Sequence, residues 1–293
     1  MTLREVLAGK GLLLLDGATG TQLSARGLLP GGDQNLLHPD AVRAVHESYL
    51  AAGSRAITTN TLTDNRIFYE SHGLSSDLVE VNRAGASLAR GAIQSHGPGT
   101  FVLGDMSSTG QLLEPYGDFT EAQFVAAFAE QARILEASGV DGFLIETIMD
   151  LREAACALRG CREASSLPIL VTMSFQTLRD GGRTAMGSQA ADCGRTLSGA
   201  GADAVGANCG DLDPFETAEL LTLLRQSCDL PLIAQPNAGK PRLVDGVARF
   251  DMDPERFANG VALCMDRGAR LVGGCCGTTP AHIAALASMI STR

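Results

Sequence analysis

Eight short apolar runs punctuate the chain, each closing on glycine or a polar residue and each followed by a stretch with helical periodicity. They occupy residues 12–16, 55–60, 101–105, 142–146, 169–174, 204–209, 232–237 and 270–275. Most are continuously apolar, where a strand with one wet face would alternate, so they read as strands of a parallel sheet covered on both sides. Helix starts between them are well signed. Thr120 and Asp150 are each followed three positions on by Gln123 and Glu153, the spacing of a capping box. Pro39, Pro214, Pro254 and Pro280 stand where a first helical turn tolerates a missing N–H. Apolar residues then recur at helical intervals, as in Phe124, Phe128 and Leu135 or Val42, Val45 and Tyr49. Strand and helix alternate with no internal linker. The pattern predicts an α/β fold, a single (β/α)8 TIM barrel, with residues 1–293 as one domain.

The expected strand ends are Asp16, Asn60, Asp105, Glu146, Cys209, Asn237 and Cys275. In such barrels the C-terminal strand ends form the active face. A lone Asp or Asn there is as often a turn residue. A whole rim of polar ends points instead to a site.

Three of the cysteines stand out. Cys275 and Cys276 lie within Gly273-Gly274-Cys275-Cys276-Gly277, and Cys209 within Asn208-Cys209-Gly210. Neighbouring residues of a regular strand face opposite ways, so the pleat must break for both Cys275 and Cys276 to reach one ion, and flanking glycine permits that. Three thiolates suit a zinc ion with one coordination position left open. A thiol entering that position loses its proton near neutral pH and becomes a nucleophile. The alternatives are buried core cysteines or a strained disulfide between neighbours. Cys156, Cys161, Cys193, Cys228 and Cys264 fall in helix-like stretches without partner spacing and read as core.

Composition narrows the class. The net charge is −10, and the only lysines are Lys10 and Lys240, so no basic stripe exists to track nucleic acid. The first residues lack a basic segment followed by an apolar one, and the leucines of residues 12–15 are too few to cross a bilayer, so no membrane association is expected. Eight cysteines without regular spacing predict a reducing, cytoplasmic location.

Asp16-Gly17-Ala18-Thr19-Gly20-Thr21, Thr59-Asn60-Thr61, Gly206-Ala207-Asn208-Cys209-Gly210 and the Gly273–Gly277 segment together resemble the homocysteine S-methyltransferases, in order and spacing over nearly the full length. Gln235-Pro236-Asn237-Ala238-Gly239-Lys240-Pro241 looks most like the homocysteine-binding module of cobalamin-dependent methionine synthase. The resemblance implies zinc on Cys209, Cys275 and Cys276, with homocysteine sulfur in the fourth position and Asn237 filling that place when substrate is absent. It implies Asp16 and Glu146 on the homocysteine ammonium, the N–H groups of Gly17 and Ala18 on its carboxylate, and Asn60 among the substrate-binding residues. The product would be methionine.

The donor is less legible. Betaine, a quaternary ammonium, calls for aromatic faces, and the chain has no tryptophan and only Tyr49, Tyr69 and Tyr116. Betaine-using relatives carry tyrosine after the Glu-Thr corresponding to Glu146-Thr147, where this chain has Ile148, and a C-terminal extension, where this chain stops at Arg293. The resemblance favours methylcobalamin carried on a separate corrinoid protein. A stand-alone enzyme using S-methylmethionine or another sulfonium is the alternative, and a non-catalytic zinc or thiol-binding module the reading from a different class. Lys240, near the seventh strand, invites comparison with a Schiff-base lysine. His38, His46, His72, His96 and His282 fall away from strand ends and read as structural. Residues 110–119, after the third strand, are expected to form a mobile loop over the site.

Overall fold

Each apolar run of the sequence is a strand of one sheet, in a computed structural model that describes residues 1–244 and 247–292. In chain order the strands are β1 (Leu13–Leu14), β2 (Ala56–Thr58), β3 (Phe101–Met106), β4 (Gly142–Ile148), β5 (Ile169–Met173), β6 (Phe175–Thr177), β7 (Arg183–Thr184), β8 (Ala204–Asn208), β9 (Leu232–Gln235), β10 (Arg242–Val244), β11 (Val247–Arg249) and β12 (Ala269–Val272). Eight of them pair in parallel in the order β1-β12-β9-β8-β5-β4-β3-β2, which is the order of a (β/α)8 barrel opened between its first two strands. Six strands stop one to three residues before the expected polar ends, because those residues leave the ladder for the rim loops. The domain boundary at Arg293 falls outside the described residues.

The seam between β1 and β2 is closed by other means. Arg55 N donates to Leu14 O at 2.8 Å. One turn higher the Asp16 carboxylate accepts the Thr58 N–H at 2.8 Å and the Thr58 hydroxyl at 3.1 Å, so a side chain satisfies a donor that a longer β1 would have paired.

Side-chain alternation places the site. Leu103, Leu144, Leu170, Ala204, Ile233 and Leu271 fill the barrel interior, joined from below by Leu3 and Leu7 of the helix Leu3–Ala8. Side chains two residues further along a strand point the same way. Asp105, Glu146, Thr172 and Gln235 therefore follow Leu103, Leu144, Leu170 and Ile233 into the upper barrel, and all four are buried. The opposite faces of the strands pack on the helices, with Val102, Ile145, Val171 and Val205 against Phe124, Phe128 and Leu197 in the larger core.

The helices begin where the sequence signals them. Pro39, Pro214, Pro254 and Pro280 each open a helix, and Thr120 with Gln123 forms the expected capping box. At Asp150 the expectation fails in part. Asp150 caps Arg152 N, but Glu153 turns inward to bond Ser108 Oγ and the N–H and hydroxyl of Thr109. Those buried donors hold it more strongly than the helix end does. Two antiparallel hairpins, β6–β7 and β10–β11, were not expected; they are short and sit in rim loops after β5 and β9. No helix among the described residues is long and apolar enough to cross a membrane.

Candidate active site

The rim brings the three singled-out cysteines together. The ligand atoms of Cys209, Cys275 and Cys276 all lie within 4.8 Å of one another, and Cys209 Sγ is 3.9 Å from Cys276 Sγ. Sulfurs bonded to one tetrahedral zinc at about 2.3 Å would stand about 3.8 Å apart. The pleat breaks as the pattern required. Cys209 takes φ +53° and Gly210 φ +71°, while Cys275 and Cys276 lie beyond β12 and are followed by Gly277 at φ +79°. A Cβ on Gly210 would come within 2.2 Å of Phe175 O, so glycine is needed there for space as well as angle.

The exit of β9 binds both thiol loops. Cys275 N donates to Pro236 O at 2.9 Å, Ala238 N to Cys276 O at 2.9 Å, and Asn237 Nδ2 to Gly210 O at 2.9 Å. The Asn237 amide lies beside Cys209, and its Oδ1 is buried without a partner. Cys275 and Cys276 hydrogen-bond to the Cys209 sulfur and bring it down to about 3, while the same contacts raise Cys275 and push Cys276 up to about 12. Three thiols this close form a donor set that gives up protons to a soft divalent ion. Three sulfurs within 4.8 Å of one another, with an orphaned amide oxygen beside them, fit zinc. By contrast Cys161, Cys193 and Cys264 are pushed up to about 12 by burial.

Beside the thiols lies a cavity of about 350 Å³ whose walls include Asp16, Asp105, Glu146, Cys209, Cys275 and Cys276. No lysine, arginine or histidine among the described residues lines it. Burial pushes Asp16 up to about 7 against the two Thr58 bonds. Burial also raises Glu146, although hydrogen bonds from Asp105 and Thr147 oppose it. Asp105 is raised well above the usual carboxylate range by burial and then by the neighbouring Glu146. Asp105 Oδ1 has no partner. Three buried acids lining one pocket without a counter-charge favour a cationic ligand.

Asn208 joins acids to thiols. Its amide donates to Glu146 Oε2 and lies 3.7 Å from Cys275 Sγ, while its Oδ1 accepts Thr172 Oγ1 at 2.7 Å and Thr147 N at 2.8 Å. Thr147 is held at φ +60° to make this contact. Gly17 and Ala18 both line the cavity. The Ala18 N–H already donates to Thr278 Oγ1 at 3.1 Å, whereas that of Gly17 has no protein acceptor among the described residues. Asn60 also lines the cavity, with its amide donors on Gly31 O at 2.9 Å and Asn35 Oδ1 at 3.0 Å, leaving its oxygen for a ligand. Thr58, Asn208 and Thr278 were not singled out from the sequence. Asn208 lies within one cysteine motif and Thr278 directly follows the other, but several of their contacts are with residues far away in the chain.

The model of the homocysteine S-methyltransferase family matches residues 13–290. The chain belongs to that family. Methionine synthases of Mycobacterium tuberculosis and Mycobacterium leprae are each 30% identical to it over 99% of its length. The chain spans about a quarter of those relatives, 25% of each. Among solved structures, the metallated form of the homocysteine methyltransferase MmuM from Escherichia coli superposes with a TM-score of 0.80 at 25% identity, covering 98% of this chain and 99% of that one. The match to its apo form has a TM-score of 0.75.

Other candidates lie away from the family's cysteine motif. Lys240 is half-exposed and paired with Glu216 Oε1 at 2.6 Å, which raises its pKa, the opposite of what a Schiff-base lysine needs. His282 bonds Thr279 and Met252 O, and His46 is buried with neither ring nitrogen paired. Residues 110–119 fold on themselves through Glu114 N to Phe119 O and Gly117 N to Leu113 O, with Leu113 buried and Tyr116 projecting. A larger cavity of about 440 Å³, between Leu112, Tyr116, Arg152 and Met186, contains no cysteine or cluster of acids.

Proposed function

We propose that this protein is a zinc-dependent homocysteine S-methyltransferase that forms methionine. The observation that carries the reading is one cavity with two ends, a close trio of thiols and a set of acids, lined by no basic side chain among the described residues. Homocysteine has a thiol at one end and an ammonium with a carboxylate at the other, and so matches both.

Cys209, Cys275 and Cys276 would hold zinc, with Asn237 beside the remaining position. Zinc bound there would favour the thiolate form of the substrate sulfur and fix its direction. Asp16 and Glu146 take the ammonium, as charge-assisted hydrogen bonds between carboxylate and ammonium favour. Gly17 N–H takes the carboxylate, with Ala18 holding its loop through Thr278, and Asn60 bounds the pocket. The substrate sulfur forms a bond to the methyl carbon, and the donor leaves with the bonding electron pair. No general base is required at carbon, so the chain contributes position and a tuned nucleophile.

For the donor, methylcobalamin on a separate corrinoid module is the favoured reading. It is supported by relatives four times as long as this chain and by exposed apolar residues on loops after β2, β3, β4, β5 and β9, namely Leu62, Leu112, Tyr116, Met149, Met186 and Leu243. Such a rim suits a macromolecular donor more than a small one. The second reading, a stand-alone enzyme using a sulfonium such as S-methylmethionine, is supported by the end-to-end match to MmuM. Zinc-loaded protein with homocysteine, assayed against methylcobalamin, S-methylmethionine and betaine, separates them. Methionine from methylcobalamin supports the first; efficient turnover of S-methylmethionine alone replaces it with the second.

A further inference from the structure

Two loops supply the two ends of the cavity. Residues 16–18 leave β1 towards the acids, and residues 273–278 leave β12 carrying two of the thiols. Thr278 is fully buried between them. Its hydroxyl accepts the Ala18 N–H at 3.1 Å and donates to Cys275 O at 2.7 Å, so one oxygen spans both loops. The Tyr49 hydroxyl adds a second tie, 3.1 Å from Ala18 O and 3.2 Å from Thr278 O. Gly274 N donates to Asp16 O at 2.9 Å and Gly277 N to Thr21 Oγ1 at 3.2 Å. Space is as tight as the bonding. A Cβ on Gly17 would meet Thr278 Oγ1 at 2.7 Å, and one on Gly274 would meet Thr278 Cγ2 at 2.5 Å.

We infer that Thr278 is a positioning residue that couples metal binding to amino-acid binding. The inference rests on the function proposed above. Metal on Cys275 and Cys276 fixes the second loop, and through the Thr278 hydroxyl it fixes the first loop, so the amino acid meets a preorganised Asp16-Gly17-Ala18 segment. Homocysteine itself would also be drawn to the metal by its sulfur. The coupling through Thr278 needs no such bond and therefore acts on an amino acid with no sulfur at all.

Norleucine is the probe, titrated calorimetrically into zinc-loaded and chelator-stripped protein, with zinc affinity measured separately by competition. The expected result is that wild-type protein binds norleucine about fivefold or more tightly when zinc is present. Thr278→Val, which keeps shape and loses the hydroxyl, is expected to lower that ratio, the Tyr49 and Gly274 ties remaining, and Thr278→Ser to restore it. If Thr278→Val does not fold, Tyr49→Phe carries the test and is expected to reduce the ratio. A wild-type ratio of one, or a wild-type ratio retained in Thr278→Val, or in Tyr49→Phe where that variant stands in, overturns the coupling while zinc and norleucine binding leave the proposed function standing. Protein that binds neither zinc nor norleucine overturns both.

Discussion

Asn208 holds Glu146 by its amide while standing 3.7 Å from the sulfur of Cys275, so one side chain on β8 touches both ends of the cavity. A hydrogen bond to a charged group contributes about 1.5–3 kcal/mol, which is roughly ten- to a hundredfold in affinity. Asn208→Ala is expected to raise the KM for homocysteine by that order, with zinc content retained. Steady-state kinetics and metal analysis on the purified variant check both, and an unchanged KM would show that Glu146 needs no such support.

The Asp16 carboxyl, at about 7, sets a pH dependence. The form that receives an ammonium is the carboxylate, and below about 7 the empty site carries the acid instead. Amino-acid affinity is therefore expected to fall as pH drops through that value, by up to about tenfold per unit. Norleucine titrations between pH 5.5 and 8.5 isolate the effect from ionisation of a substrate thiol. The sign for stability is the reverse. Because the folded value lies above the usual 3.8 of an aspartate, Asp16 favours the folded empty protein at low pH, and that contribution is lost as pH rises through about 7.

Gly210 gives a test of the turn that aims Cys209. Its φ of +71° and the 2.2 Å approach of a Cβ to Phe175 O penalise any side chain. Gly210→Ala is expected to cost about 2–5 kcal/mol from left-handed backbone and overpacking together. Urea unfolding measures the cost, and zinc affinity should fall with it. Gly139→Ala, whose Cβ would meet nothing within 4 Å although its φ is +88°, isolates the backbone contribution alone.

Much of the fold was legible because a strand covered on both faces must be apolar throughout, and the runs ending at Asp105 and Glu146 announce both strand and site. The cysteine motifs were legible because glycine on either side of Cys275-Cys276 permits the break in the pleat that lets neighbouring thiols face one ion. Asp105 was read only as a strand end; its pairing with Glu146 depends on a contact between β3 and β4 that no spacing encodes. Thr278 and Asn208 were hidden for the same reason, since their partners lie some 260 and 60 residues away. Glu153 shows the converse. Its spacing from Asp150 was right for a helix cap, but the buried N–H and hydroxyl of Thr109 compete for the same carboxylate and win.

The central claim is a metal held by three particular sulfurs with one place for a fourth. X-ray absorption at the zinc K-edge tests it most directly, with Cys209→Ser, Cys275→Ser and Cys276→Ser as controls expected to lose both metal and turnover. Wild-type protein is predicted to show three sulfurs at about 2.3 Å with one lighter ligand, and four sulfurs once homocysteine is added. Fewer than three protein sulfurs, or a coordination set that homocysteine leaves unchanged, would contradict it.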